Sequence, residues 1–493
     1  MLPLTTVSPK RTPRKRVTNK SKSGDQQDEV RLFTNRSPAA EGLQPDARGS
    51  TTPALRNKLP RDRRKETNKF IEPAILFPQK QYLCHMNSKL RHLLLIVFSI
   101  FPILTWGTES LSTADSIRIS LLTCAPGEEI YSLFGHTAIR YEEPARGIDR
   151  VYNYGLFSFN TPNFILRFAL GKTDYQLGAE DYRRFAAEYE YFGRSVWQQT
   201  LNLTVEEQQQ LITLLEENYR PENRIYRYNF FYDNCATRPR DKVEESLQKS
   251  GSQLLFSNAH TENGETKSYR DIVHQYTKGH PWAQFGIDFC IGSQADRPIN
   301  DRQMMFAPFY LMDAFAGARI ANTSDNKALV ASTQKIIDCE PDVSGSTEND
   351  IWNMLTPIRL SLLVFIAIGM ATVYGLRKKK SLWGLDIAVF AAAGIAGCII
   401  AFLALFSEHP TVGSNYLLFV FHPGHLLCLP FFINDERKRR KSRYHLLNCI
   451  VLTLFIVLFP VIPQNFDLAV LPLALCLLIR SASNLILTYK KAK

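Results

Sequence analysis

Asn229-Phe230-Phe231-Tyr232-Asp233-Asn234-Cys235-Ala236-Thr237-Arg238 puts a single cysteine directly after an Asp-Asn pair, ahead of a run that reads as a helix to about Gln248. Asp and Asn are strong N-cap residues, so Cys235 falls at a predicted helix N-terminus. Pro239 then sits in the first turn, where a missing N–H breaks no hydrogen bond. Upstream by 99 residues, Ser132-Leu133-Phe134-Gly135-His136-Thr137-Ala138-Ile139-Arg140 sets a histidine after a glycine, at the head of an apolar strand. Unpaired N–H groups and the helix dipole favour a thiolate at position 235. A nearby imidazole takes the thiol proton and later returns it to a leaving group. The pair is therefore the raw material of thiol acyl chemistry, with backbone N–H groups around Cys235 as oxyanion donors. Such an imidazole is usually oriented by a third polar group. Asn153, in Val151-Tyr152-Asn153-Tyr154-Gly155 on the next predicted strand, is the candidate by position.

Around this pair, residues 109–350 have globular composition and read as α+β. Asp115 to Leu122 alternates as a strand. Ala138–Tyr141 and Val151–Tyr154 read as two strands joined by a loop at Pro144 and Gly147. Thr204-Val205-Glu206-Glu207 is a capping box opening a helix with Leu211, Leu214 and Leu215 on one face. Arg270, Asp288 and Asp296 read as architectural. There is no internal repeat, GxGxxG, P-loop or CxxC, and no metal or cofactor is expected.

Beyond residue 350 the character changes. Five apolar segments, at about 358–376, 382–406, 416–433, 446–463 and 466–487, approach the ~20 residues that span a bilayer. The third carries His422, Pro423 and His425, and the fourth Pro460 and Pro463, which makes these two the weaker spans. Arg377-Lys378-Lys379-Lys380 follows the first segment, Glu436-Arg437-Lys438-Arg439-Arg440-Lys441 the third and Lys490-Lys491 the fifth. The loops Ser407–Asn415 and Pro463–Asp467 lack Lys and Arg. This alternation is the positive-inside rule, and it puts residues 109–350 outside the cytoplasm. Residues 86–108 point the same way: Lys89, Arg91 and His92 precede an apolar run from Leu93 to Leu104 and the small residues near Trp106-Gly107-Thr108, the layout of a signal peptide.

The net charge of +12 does not indicate nucleic acid. Residues 1–85 hold 18 Lys/Arg against 8 Asp/Glu, leaving 41 against 39 for the rest. That basic segment reads as a disordered extension, and Met86 reads as the true start of the chain. Of the nine cysteines, Cys124, Cys235, Cys290 and Cys339 fall in the exported region. A disulfide among Cys124, Cys290 and Cys339 is open at this level.

The run from Cys124-Ala125-Pro126-Gly127 to Gly135-His136-Thr137-Ala138-Ile139-Arg140, with Tyr152-Asn153-Tyr154-Gly155-Leu156-Phe157 and Tyr228-Asn229-Phe230 to Asn234-Cys235, resembles the Lnb-type family of bacterial lipoprotein N-acyltransferases. The likeness covers roughly 115–487, including the five spans and the Glu408-His409-Pro410 loop. It implies a permuted papain-like periplasmic domain, similar to the lecithin–retinol acyltransferase group, followed by an all-α five-helix transmembrane domain at 356–488. It implies Cys235 as nucleophile, His136 as base and Asn153 as the orienting residue. A phospholipid acyl donor, a diacylated lipoprotein acceptor and a bacterial inner-membrane location follow from it. Arg140, Tyr154 and Asn234 near the pair, and Glu408, His409 and Asn415 at the outer membrane face, are the candidates for substrate binding. Loop packing is the alternative for His409. Two other classes compete: a membrane-anchored thiol hydrolase (peptidase or amidase), and a non-enzymatic membrane-bound binding module.

Overall fold

The computed structural model describes residues 117–339 and 354–489, apart from 159, 258–263, 265 and 323–325. The basic extension and the signal-peptide segment lie outside the described residues. The first domain is built on a seven-stranded antiparallel sheet. Its strands are β1 (Arg118–Cys124), β2 (His136–Glu143), β3 (Ile148–Leu156), β4 (Asp174–Asp181), β5 (Val196–Leu201), β6 (Ile225–Arg227) and β7 (Val330–Ile337), in the order β7-β5-β1-β2-β3-β4-β6. The β2–β3 hairpin turns at Pro144–Arg146, and Gly147 closes it at φ +64°. Alternation in β1 sends Ile119 and Leu121 to one face of the sheet and Leu122 and Cys124 toward the other.

Four helices matter for the site. They are α1 (Phe164–Ala169), α2 (Tyr182–Tyr191), α3 (Val205–Tyr219) and α4 (Thr237–Lys249). Thr204 and Glu207 form the expected reciprocal capping box on α3. Leu211 and Leu215 of α3 join Val243 and Leu247 of α4 in the main core, against Ile119, Leu121, Ile139, Tyr152 and Tyr154 of the sheet. Phe185 and Tyr189 of α2 cover the opposite face, over Leu122, Cys124, Ala138 and Val151. Cys124, Cys235, Cys290 and Cys339 are all free thiols.

Among the described residues, the second domain contains five helices long and apolar enough to cross a membrane: Pro357–Arg377, Trp383–Phe406, Tyr416–Arg437, Arg443–Val461 and Val470–Thr488. The proline signals in the third and fourth segments have physical counterparts. The third span begins as a 3-10 turn (Tyr416–Phe419) and becomes α-helical only at Gly424, while the fourth finishes as a 3-10 turn at Phe459–Val461. His425 is buried and bonds the Tyr444 hydroxyl and the Val420 carbonyl, an interhelical role.

Both loops that lack Lys and Arg touch the first domain. Ser407 Oγ donates to the Ala169 carbonyl (2.7 Å), and the Glu408 N–H to that of Leu170 (2.9 Å). The Gly292 and Ser293 N–H groups donate to the Thr411 and Ser414 carbonyls. The Asn465 N–H donates to Asp296. A β-carbon on Gly292 would meet Ser414 O at 2.6 Å, so this approach requires glycine. Arg270 is fully buried and bonds Asp288 at 2.6 Å and Asp296 at 2.9 Å, tying the same seam together, as an architectural residue would. The loop contacts agree with the side of the membrane deduced from charge.

Candidate active site

His136 opens β2 because the chain turns sharply just before it. Gly135 has φ +78°, and a β-carbon there would lie 2.5 Å from the Cys124 carbonyl oxygen. The register pairs Cys124 with His136 and Ala138 with Asn153, so these side chains share one face of the sheet. His136 Nε2 lies 2.5 Å from Asn153 Oδ1. With Nε2–H donating to that oxygen, Nδ1 is left as the basic nitrogen of the ring. The Glu180 carboxyl, pushed up by burial and by Glu188, interacts with the Asn153 amide from β4.

Cys235 sits in the turn before α4, and Asn234 holds that turn. Asn234 Oδ1 accepts from the Ala236 N–H (2.8 Å) and the Thr237 N–H (3.0 Å). Its amide donates to the carbonyls of Phe230 (2.7 Å) and Phe306 (2.9 Å). Asn234 is buried with its polar atoms engaged, so its place is beneath the nucleophile rather than against a substrate. The helix expected to start at Cys235 is regular from Thr237, with Pro239 in its first turn.

Gly155 brings the thiol and the imidazole together. A β-carbon at Gly155 would stand 3.6 Å from Cys235 Cβ and 3.8 Å from His136 Cε1. The residue has φ +98° and lies in a register shift between Asn153 and Leu156. It was legible as an isolated glycine breaking a strand pattern, a mark of a bulge or a close approach. The N–H groups of Thr137 and of Cys235 itself stabilise the ionised sulfur, while Asn234 occupies those of Ala236 and Thr237.

The electrostatics correct one expectation. Burial pushes the Cys235 thiol up to about 11, against the lowering effect of the two N–H groups. Burial also holds His136 down at about 4, with the Asn153 bond opposing and Arg194 reinforcing the shift. The resting pair is a neutral thiol and a neutral imidazole, not the thiolate that a helix N-terminus alone suggests. Cys124, paired with His136 across the strands, is pushed up to about 12, mainly by burial, with Tyr189 opposing the shift.

The other substrate-binding candidates are occupied by the protein itself. Arg140 Nε and Nη2 bond Asp149 at 2.8 Å each, Nη1 bonds Gln198 at 2.8 Å, and the guanidinium stacks on Tyr182. Tyr154 is buried in the core with its hydroxyl on Asn218 (2.7 Å). Glu408 pairs with Lys172 (3.3 Å) and Arg227 (3.8 Å), and His409 Nε2 bonds the Phe168 carbonyl (2.8 Å). Asn415 is buried and bonds Phe289 O, the Leu417 N–H and Gln464. The last three residues dock the two domains. Cys235 and Tyr228 pack against the main core that holds Tyr175 and Tyr226, and burial raises all three phenols.

A multi-pass membrane protein whose extramembrane α+β domain holds a thiol, an imidazole and an amide in one cluster is thus defined. The chain belongs to the Lnb family: residues 104–275 match the Lnb N-terminal periplasmic domain, and residues 347–492 match the Lnb transmembrane domain. No curated protein and no solved structure matches it.

Proposed function

We propose that this protein is a lipoprotein N-acyltransferase of the bacterial inner membrane. It moves an acyl chain from a phospholipid, through a thioester on Cys235, to the α-amine of the N-terminal diacylglyceryl-cysteine of lipoproteins. The observation that carries this reading is the His136–Asn153 bond beside Cys235, on a domain hydrogen-bonded to the outer loops of five membrane spans. Family membership supports the acyltransferase class, and the permuted papain-like arrangement is part of the same proposal.

In the first half-reaction His136 Nδ1 takes the Cys235 proton as sulfur attacks the ester carbonyl. The Cys235 and Thr137 N–H groups hold the oxyanion. Collapse breaks the ester C–O bond, and the imidazolium returns its proton to the leaving lysophospholipid oxygen. In the second, the lipoprotein amine attacks the thioester, His136 accepts the amine proton, and the proton passes to the departing thiolate. Asn153 keeps the imidazole in the tautomer that both halves need.

Expression in a Gram-negative cell depleted of its own lipoprotein N-acyltransferase tests the proposal. Mass spectrometry is expected to find N-acylated lipoprotein termini with the wild-type protein and free amines with Cys235→Ala. Free amines in both, despite equal membrane levels, refute the reaction. Acylated termini in both refute the nucleophile.

A further inference from the structure

A row of aromatic rings leads from the thiol to the membrane-side loop. Tyr228 stacks on Tyr175 at 4.0 Å, Tyr175 on Phe157 at 4.9 Å, Phe157 on Phe164 at 5.5 Å, and Phe164 on Phe168 at 6.2 Å. Phe168 then lies 5.8 Å from the His409 ring. At one end, Tyr175 lies in the main core, and Tyr228 and Cys235 both pack against that core. At the other, Phe164 and Phe168 belong to α1.

Helix α1 is fixed at the level where the second span ends. The carbonyls of Phe168, Ala169 and Leu170 receive His409, Ser407 and Glu408, the three residues directly after Phe406. Its outer side is apolar: Ile165 is 83 % exposed, and Leu166 and Phe168 are also open. The adjoining end of the span is apolar as well, with Leu405 75 % exposed. Arg167, Lys172 and Arg227 flank this surface, set against Asp174 and Glu408. Exposed apolar side chains beside basic residues, at the depth of a span's end, form a surface suited to the boundary between lipid headgroups and acyl chains.

We propose that α1 lies in the outer leaflet and receives an acyl chain of a membrane glycerolipid, and that the ring row from Phe168 to Tyr228 is the track bringing that chain's ester to Cys235. The inference deepens the acyltransferase reading and rests on it for the fate of the chain. The binding surface itself is tested without turnover.

Full-length Cys235→Ala protein is reconstituted in phosphatidylethanolamine–phosphatidylglycerol vesicles containing a phosphatidylethanolamine with a photoreactive diazirine in one acyl chain. Cross-linked peptides are then mapped by mass spectrometry. The expected result is label on the segment from Phe157 to Phe168 that is lost in an Ile165→Asp/Leu166→Asp background. Label confined to the five spans, or unchanged by that double substitution, overturns the track. Both side chains project outward, so the substitutions spare the fold. Unchanged alkylation of Cys235 by iodoacetamide in an otherwise wild-type I165D/L166D protein checks this. That same protein is expected to lose acylation of Cys235 from vesicles, and retained acylation overturns the track. Label at α1 without any acylation of wild-type Cys235 supports the surface and refutes the acyltransferase reading alone.

Discussion

The sulfur of Cys235 receives N–H groups from Thr137 and from its own backbone, yet burial keeps the thiol near 11 while His136 stays near 4. Between these values the imidazole is deprotonated and able to accept a proton, and the thiol keeps its own until an electrophile arrives. The alkylation rate of Cys235 by iodoacetamide should therefore climb about tenfold per pH unit from pH 7 toward 10, following the thiolate fraction. A plateau beginning at acid pH would instead reveal a thiolate–imidazolium pair. Gly155 makes a second test at this scale. Gly155→Ala forces a side chain into positive φ, at about 1–2 kcal/mol, and sets a methyl 3.6 Å from Cys235 Cβ and 3.8 Å from His136 Cε1. Acylation of Cys235 should fall much further than thermal stability does; equal losses of both would reduce Gly155 to a folding role. Cys235, His136 and Asn153 stand out in the sequence as candidates because each is a chemically distinctive residue in a patterned local setting, and the fold brings the three near one another. The neutral resting state was not, because it depends on burial that the whole domain creates.

At the scale of elements, α4 shows how local and distant information divide. A helix start could be read from Asp233-Asn234, and Asn234 does hold the turn leading into α4, although the helix itself begins at Thr237 with Ala236 at its N-cap. The second half of the work of Asn234, gripping the Phe306 carbonyl 72 residues away, has no local signal. Asn234→Ala frees the Ala236 and Thr237 N–H groups and leaves the Phe230 and Phe306 carbonyls unpaired, so a loss of about 2 kcal/mol is expected. Thermal unfolding and Cys235 alkylation should both change. A change in neither would mean the turn holds without these bonds. The same division explains Arg140, Glu408 and Asn415. Their types suggested binding, but their partners Gln198, Arg227 and Phe289 lie far along the chain and only the fold brings them near. Strand β7 is a further case: its mostly exposed residues at the sheet's edge leave no clear alternation to read.

Across the whole molecule, the loop seam ties the first domain to the second, and a separate polar network ties the spans to one another. Arg480 in the fifth span makes a bidentate pair with Asp386 in the second (2.6 and 2.7 Å) and reaches Thr372 in the first. Asn484 links that pair to Glu436, which also bonds His445 in the fourth span. Buried charges in a membrane persist only when paired. Arg480→Leu alone should cost about 3–5 kcal/mol by stranding Asp386, and Asp386→Leu added to it should recover much of the loss. Melting in detergent checks this, and additive losses would show that the two residues are not coupled. The span count and sidedness could be read from apolar length and loop charge. The network could not, since its members are single polar residues scattered through apolar runs.

The central claim is that Cys235 carries the acyl chain. The most direct measurement is the mass of the Cys235 peptide after purified full-length protein is incubated with phospholipid vesicles and no lipoprotein acceptor. The account predicts a single acyl chain on Cys235, released by neutral hydroxylamine as a thioester should be and abolished in His136→Ala. An unmodified Cys235 in a preparation that still N-acylates added lipoprotein would contradict it.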